Sequence, residues 1–348
     1  MLDLRDLSKQ ELALLLEEMG EKPFRLGQLL RWLYRGRARG VSAMSDLSQD
    51  LRRRLSQRAG LTQMTPERVL LSKDGARKLI FPAGEGQAIE SVLIPEEDHY
   101  TLCLSTQVGC RMACAFCRTG QMGFSRNLRP GEISGQILSA LDLLGDESLP
   151  LTNLVFMGMG EPLDNLDNLL PALEHILSSE GLGFSQRRVT VSTAGLPGEL
   201  ERLGRATPAS LAVSINAPDD ELRDRLMPVN RRFNLDDLKA VLLNYPLKPT
   251  RRITLEYVLL AGINDHPAQA RQLAMWCRGL RCKVNLIPFN SHSGAQWRAP
   301  ENNTVLAFQE ILASHNLTAL VRRSRGRDVA AACGQLAGEA AGDGLSSL

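Results

Sequence analysis

From Thr101 onward, short β-branched runs alternate with longer stretches of helical period. The runs are "TLCLST", "NLVFMG", "RVTVST", "LAVSIN", "ITLEYVLL", "KVNLIP" and "TALVRRS". Between them lie segments such as "GEISGQILSALDLL" and "NLDDLKAVLLNY", with apolar residues three and four apart. Parallel neighbours need a long crossover, so repeated βα units predict a parallel sheet. Six or more such units predict an α/β barrel or part of one, here a partial (βα)6 barrel.

Strands covered on both faces should be almost wholly apolar, and several of these are not. In "TLCLST", Thr101, Cys103 and Ser105 share one face and Leu102 and Leu104 the other. Thr190 and Ser192 oppose Val189 and Val191, Ser214 and Asn216 oppose Val213 and Ile215, and Thr254 shares a face with Glu256. The polar positions gather towards the strands' C-terminal ends, where a barrel carries its active site. A polar lumen that holds a ligand is expected.

Upstream the organisation differs. Ser8 and Glu11 form a capping box before Leu12, Leu15, Leu16 and Met19, and further helices are predicted over 24–34 and 47–57. "ERVLLS", "ARKLIFP" and "AIESVLIP" then have strand character. The expected division is a helical domain over 1–60, a β-rich connecting segment over 61–98, the barrel over 99–335, and a small, polar tail over 336–348 that frays. Between Lys22 and Arg58 stand ten basic and two acidic residues, although the whole chain carries only +2. This block suggests that the helical domain meets a polyanion, unless it is only a solvated face. No run of about 18 apolar residues predicts a membrane span, and the acidic, amphipathic start lacks a secretory pattern. Seven cysteines, three of them clustered, do not form a secreted disulfide framework, so a cytoplasmic setting is expected; the expected state is a monomer.

The cluster is "CRMACAFC", with Cys110, Cys114 and Cys117 in the loop after the first barrel strand. Closed zinc sites and fully ligated iron–sulfur clusters take four protein ligands. Three thiolates in one loop point to a 4Fe–4S cluster with one open iron. From spacing alone, a zinc site completed by Cys103 or His99 stays open as the alternative. Cys277 and Cys282 have no such context and read as structural.

A C-x3-C-x2-C loop after a first barrel strand resembles the radical S-adenosylmethionine (SAM) superfamily. "MGMGEPLDN" after the second strand is similar to that superfamily's Gly-Glu motif. "ESVLIP", "TLCLSTQVGC", "FCRTGQMGFSRNL", "VFMGMGEPLDN", "RRVTVSTAG", "EYVLLAGIND", "NLIPFN" and "AACGQLAG" follow the order and spacing of the RlmN methyltransferase family. The resemblance implies a radical SAM partial barrel that methylates carbon 2 of adenosine in 23S rRNA and in tRNA beside the anticodon. The Cfr branch, which acts on carbon 8, is the nearest alternative, and "GFSRNL" favours RlmN. A metal-bearing RNA-binding module without catalysis is the alternative from another class, and the Gly-Glu motif argues against it.

The resemblance also implies roles. Cys110, Cys114 and Cys117 would hold one 4Fe–4S cluster, and two SAM molecules would be used per turnover. Gly160, Glu161, Ser192, Ser214, Ile215, Asn216 and Asn290 match SAM contacts, although "SIN" stands where relatives commonly carry Ser-Leu-His, and "NSHSGAQW" departs from an expected Pro-rich loop. Cys333 would carry a methyl group that becomes the bridge to adenine. Cys103 would resolve the adduct and end in a disulfide with Cys333. Composition alone reads Cys333 as a buried structural thiol. Glu90 matches a proton acceptor, whereas sequence physics alone reads it as an exposed strand carboxylate. Arg187–Arg188, Arg231–Arg232, Arg251–Arg252 and "RRSRGR" at 322–327 are candidate phosphate contacts. The implied partners are 23S rRNA, tRNA and an electron donor such as flavodoxin.

Overall fold

The computed structural model describes residues 2–292 and 294–337. The expected fraying of the tail lies, beyond Ala337, outside the described residues. The chain opens with α1 (Lys9–Glu18), α2 (Phe24–Leu30) and α3 (Gln49–Arg58). The capping box of Ser8 and Glu11 forms at α1, and Leu12, Leu16, Leu29, Leu33, Leu51 and Leu55 build a separate core between the helices. The buried Arg5 staples this unit, donating to the carbonyls of Leu33, Ala38 and Thr62 at 2.7–3.2 Å.

Ten strands then form one sheet whose spatial order follows the chain. They are β1 (Arg68–Leu71), β2 (Arg77–Gly84), β3 (Gln87–Pro95), β4 (Tyr100–Cys103), β5 (Leu151–Phe156), β6 (Val189–Thr193), β7 (Ser210–Ser214), β8 (Ile253–Leu259), β9 (Cys282–Pro288) and β10 (Ala319–Val321). From β4 to β10 every neighbour is parallel, as the βα alternation requires. The first three strands are antiparallel and β3 pairs with β4. The segment expected as a connector therefore extends the barrel sheet, and Leu79, Phe81, Ile89 and Val92 share the barrel's core.

The crossovers include α4 (Pro130–Leu144), α5 (Leu166–Leu177), α6 (Pro197–Ala206), α7 (Asp220–Leu226), α8 (Leu235–Leu243), α9 (Pro267–Trp276) and α10 (Asn302–Ser314). The helical unit docks on two of them. Tyr34 stacks on His175 of α5 with ring centroids 4.9 Å apart, and the amide of Gly131 in α4 donates to Asp6 at 2.9 Å.

The sheet does not close, because β1 and β10 are its two edges. The chain after β10 spans the opening. The Gly326 amide donates to Asp74 at 2.9 Å, Lys73 N donates to Asp328 at 3.0 Å, and Lys78 Nζ donates to the Ala330 carbonyl at 3.3 Å. Ala331 and Leu336 complete the barrel core.

Under the barrel mouth lies Arg223 of α7, fully buried. Its Nε donates to the Ile215 carbonyl at 3.1 Å, its Nη2 to those of Ala194 and Ser214 at 2.8 and 3.1 Å, and its Nη1 to Asn230 at 2.7 Å. The three carbonyls lie just past β6 and at the end of β7. Replacement by Met keeps the length but strands buried carbonyls, each costing about 1–3 kcal/mol, so Arg223→Met should lose roughly 3–5 kcal/mol in urea unfolding. A loss below about 1 kcal/mol would show that other donors satisfy these carbonyls.

Candidate active site

The strand alternation creates the site. On β6, Val189 and Val191 are buried in the core while Thr190 and Ser192 are half-exposed to the lumen side. Register aligns Ser214, Glu256 and Asn285 in one row across β7, β8 and β9. One cavity at the C-terminal ends of the strands is lined by Cys110, Cys114, Cys117 and Cys333, together with Gly160, Glu161, Ser192, Ser214, Asn216 and Asn290. Three of the proposed site residues lie outside that lining.

Ile215 is one of them: its side chain is fully buried in the hydrophobic core. Its amide donates to the Glu256 carbonyl, and its own carbonyl accepts from Arg223. Its expected ligand contact is therefore not a side-chain one. Glu90, which strand pattern alone placed in solvent, is 1% exposed and lies 3.5 Å from Lys78. Lys78 also reaches the Ala330 carbonyl, which ties Glu90 to the Cys333 segment. Cys103 is buried at the end of β4, and its thiol is pushed up to about 12, first by burial and then by the nearby Cys333.

The cysteine loop is held from several sides. Cys110 N donates to the Gly123 carbonyl at 2.8 Å, Cys117 N to that of Cys114 at 3.0 Å, and Ala115 N to that of Leu226 in α7 at 2.9 Å. Arg111 pairs with Asp164 at 3.0 Å and lies over the Phe124 ring. Burial pushes the Cys110 thiol up to about 12 and the Cys114 thiol well above its ordinary value, and the negative charge of neighbouring thiolates adds to both. Burial raises Cys117 as well. Such a trio ionises together only around a strongly cationic centre, which fits an iron–sulfur cluster. Among the described residues no three His, Cys, Asp or Glu side chains converge to hold a single metal ion, and zinc would draw its sulfurs to about 3.8 Å from one another. His99, one candidate fourth zinc ligand, precedes β4 at the opposite end of the barrel, where it meets Asp98 and Asn153.

The turn after β5 is built around two glycines. A Cβ on Gly158 would lie 2.7 Å from the Leu104 carbonyl oxygen, and one on Gly160, at φ +99°, would lie 2.7 Å from Gln107 N. Their absence of side chains lets Glu161 lodge between strands. Its carboxylate accepts from Leu163 N at 3.0 Å and Ala194 N at 2.7 Å, while burial pushes it up to about 7 against those hydrogen bonds. Asn216 holds φ +60°, a conformation Asn tolerates well. Its Oδ1 accepts from Val258 N at 2.8 Å. Asn290 donates to the Cys333 carbonyl at 3.1 Å and accepts from Arg327 at 3.0 Å, so its amide positions the Cys333 segment. The cysteine loop and that segment also meet directly, Arg118 N donating to the Gly334 carbonyl at 2.9 Å.

Two cavity residues had no role assigned from sequence. Glu256 is buried and raised by burial; Oε1 accepts from Asn285 at 3.1 Å, whereas Oε2 has no hydrogen-bond partner among the described residues. Its pairing with Thr254 on a polar strand face was the available signal. Arg322 follows β10 and lines the cavity, its guanidinium held firmly charged first by Cys333 and also by Glu256 and Cys103. In sequence it was hidden within an arginine-rich run. All seven cysteines are free thiols.

The basic residues sort differently from the sequence picture. Within the N-terminal block, Arg25 and Arg54 pair with Glu21, Arg31 with Asp46, Arg37 with Asp142, Arg53 with Asp50 and Arg58 with Glu18. Three of these acids, Glu18, Glu21 and Asp142, lie outside the 22–58 window and offset three of its eight excess positive charges. Arg231–Arg232 and 322–327 flank the mouth, whereas Arg187–Arg188 and Arg251–Arg252 precede β6 and β8 at the opposite end.

A model of the radical SAM superfamily matches residues 104–274, and one of the ribosomal RNA large subunit methyltransferase N-terminal domain matches residues 2–61. A crystal structure of a radical SAM methyltransferase from Sphaerobacter thermophilus superposes with TM-score 0.90 at 42% identity, over 97% of this chain and all of that one. The fold and cavity thus define a radical SAM enzyme, which uses a 4Fe–4S cluster and SAM. The curated dual-specificity RNA methyltransferases RlmN of Solidesulfovibrio magneticus and Syntrophotalea carbinolica are 49% and 47% identical, over 99% and 97% of this chain and 99% and 90% of theirs. The chain belongs to the RlmN family.

Gly160→Ala would force a side chain into a strained backbone and against Gln107. With the cluster reconstituted, SAM affinity in equilibrium dialysis should fall at least about tenfold, equivalent to about 1.4 kcal/mol, while iron content stays unchanged. Unaltered affinity would show that this turn does not meet the ligand.

Proposed function

We propose that this chain methylates carbon 2 of adenosine in 23S rRNA and in tRNA beside the anticodon, with Cys333 as the carrier of the transferred carbon. The observation that carries the reading is Cys333 in the wall of the cavity that Cys110, Cys114 and Cys117 also line, beside Arg322. Those three cysteines are the proposed cluster ligands. Gly160, Glu161, Ser192, Ser214, Asn216 and Asn290 are the proposed surroundings of SAM, and Ile215 takes part only through its backbone. When bound, cluster and SAM supply a carbon-centred radical by one-electron cleavage of a sulfonium.

The residues of the chain do the remainder. Carbon 2 of adenine is electron-poor and offers no nucleophile, so a methyl cation equivalent cannot be passed to it directly. The Cys333 sulfur takes a methyl group first, facing the fixed cation of Arg322. Once one hydrogen atom of that methyl has passed to the radical, its carbon bonds to adenine carbon 2 and joins protein to RNA; the carbon-2 proton is lost to Glu90, and the unpaired electron would return to the bound cluster. Cys103, a neutral thiol at rest, is the proposed second sulfur. Once deprotonated it attacks Cys333; the S–S bond forms, the Cys333 S–C bond breaks, and its electron pair passes to the adenine-bound carbon, which takes up a proton to become the methyl group. Glu90 is the proposed proton acceptor, buried beside Lys78 on the strand before Cys103's. The target adenosine must be splayed out to reach the cavity. Arg231, Arg232, Arg323 and Arg325, exposed near the mouth, suit phosphate contacts.

The helical unit of residues 1–60 acts in this scheme as a clamp on RNA, the strands of 61–98 extend the barrel sheet, and residues 99–335 hold the chemistry. An electron donor such as flavodoxin, a monomeric state and a cytoplasmic setting complete the proposal. Among the described residues no helix is long and apolar enough to cross a membrane.

Anaerobically prepared protein should hold about four irons, and Cys110→Ala, Cys114→Ala or Cys117→Ala should each lose them. Stoichiometric zinc in colourless, active protein would overturn the ligand assignment. The two remaining thiols are separable by covalent capture. Cys103→Ala isolated from cells should carry nuclease-sensitive, covalently attached RNA, and Cys333→Ala and the double variant should carry none. RNA treated with the unaltered protein should yield 2-methyladenosine by mass spectrometry; 8-methyladenosine would assign the other position.

A further inference from the structure

We propose that the end of the barrel opposite the active site binds the phosphate backbone of the RNA substrate, at a point remote from the target adenosine. The inference rests on the RNA-methyltransferase reading and extends it to a second surface. Four consecutive αβ loops, preceding β6, β7, β8 and β9, carry eight cations and no Asp or Glu: "GFSQRR" (183–188), "RATPA" (205–209), "NYPLKPTRR" (244–252) and "CRGLR" (277–281). Seven of those cations are exposed, Arg251 being half-buried. Among the described residues only Arg205 has an ion pair, a 3.8 Å contact with Glu201 in which both side chains are more than half exposed. The N-terminal arginines, by contrast, are mostly matched to carboxylates.

The loops are braced to one another rather than loosely charged. Arg251 Nη1 donates to the carbonyls of Gln186 and Pro208 at 3.2 Å each, and to Ser210 Oγ at 3.1 Å, joining three of the four loops. Arg281 donates to the carbonyls of Leu247 and Pro249 at 2.9 and 3.2 Å, joining the fourth. Neutral acceptors leave each guanidinium's charge uncompensated. Between the second and third of these loops lies a cavity of about 290 Å³ lined by Arg205, Lys248, Arg251 and Arg252. The four cations around this cavity suit phosphate oxygens, which accept from each of them.

The occupant follows from position. The seven residues of β8 separate Arg252 from the mouth, so the two ends are roughly 20 Å apart. An acidic redox protein seated on this end would hold its electron at least that far from the cysteine loop. An RNA body much larger than the nucleotide being modified can reach both ends.

The test compares a long RNA, an intact tRNA transcript, with a hairpin trimmed to the bases around its target adenosine. Arg187→Gln, Arg188→Gln, Lys248→Gln and Arg252→Gln are combined in the full chain with its cluster. Binding of the long RNA at about 0.1 M salt should weaken at least tenfold, and the slope of log K against log salt should flatten by about 3 to 4. Hairpin affinity and SAM cleavage should stay unchanged, which also shows that the variant folds. Equal affinity and slope for the long RNA, or an equal loss on both RNAs, would overturn the proposal. Failure of the unaltered protein to methylate the long RNA would instead strike at the activity itself.

Discussion

A guanidinium sealed from water under the barrel mouth organises the site. Arg223 is charged at neutral pH even though burial lowers it to about 10, and burying such a charge is tolerable only when its donors are satisfied. Its partners are the carbonyls of Ala194, Ser214 and Ile215, which are the places where β6 and β7 stop. The same cation faces Cys114 and opposes the rise of that thiol. One buried side chain thus couples the ends of two strands to the loop that carries the clustered cysteines. The Ala115–Leu226 backbone bond places α7, and with it Arg223, against that loop.

The open barrel depends on a second device. A parallel sheet that stops short of closure leaves edges and an uncovered core. The segment after β10 covers this opening by bonding to Asp74, Lys73 and Lys78 of the antiparallel meander. In doing so it carries Cys333 to the cavity from the far end of the sequence. Lys78 connects this strap to Glu90, so a carboxylate on β3 and a sulfur near the C-terminus belong to one chain of contacts. Structural closure and the placing of Cys333 in the cavity wall are the same act of packing.

Charge is distributed in a way that net counts conceal. Carboxylates from α1, α4 and the turn after α1 offset three of the eight excess charges of the N-terminal block, while the loops under β6 to β9 keep nearly all of theirs. Exposed pairs contribute little to stability, but they decide which cations remain available to phosphate. A substrate held at both ends of the barrel would be fixed in orientation before its adenosine turns into the mouth.

The local sequence determined the alternation of strand and helix, the C-x3-C-x2-C loop and the polar strand faces, because each depends on neighbours within a few residues. Ser192, Ser214 and Glu256 face the lumen for the reason their alternation indicated. Tertiary structure alone decided that Glu90 is buried, since its shield is the packing around β3, and that Ile215 belongs to the core. It also turned Arg322 from one more basic residue into the cation beside Cys333, and made Arg223 internal within the charged stretch "DDELRDRL". Neither could be read locally, because burial and charge pairing are set by residues far away in the chain. The nearness of Cys103 to Cys333 is the clearest case: strand alternation gives Cys103 a direction, but only the closing strap, which is not a strand at Cys333, brings the second sulfur near it.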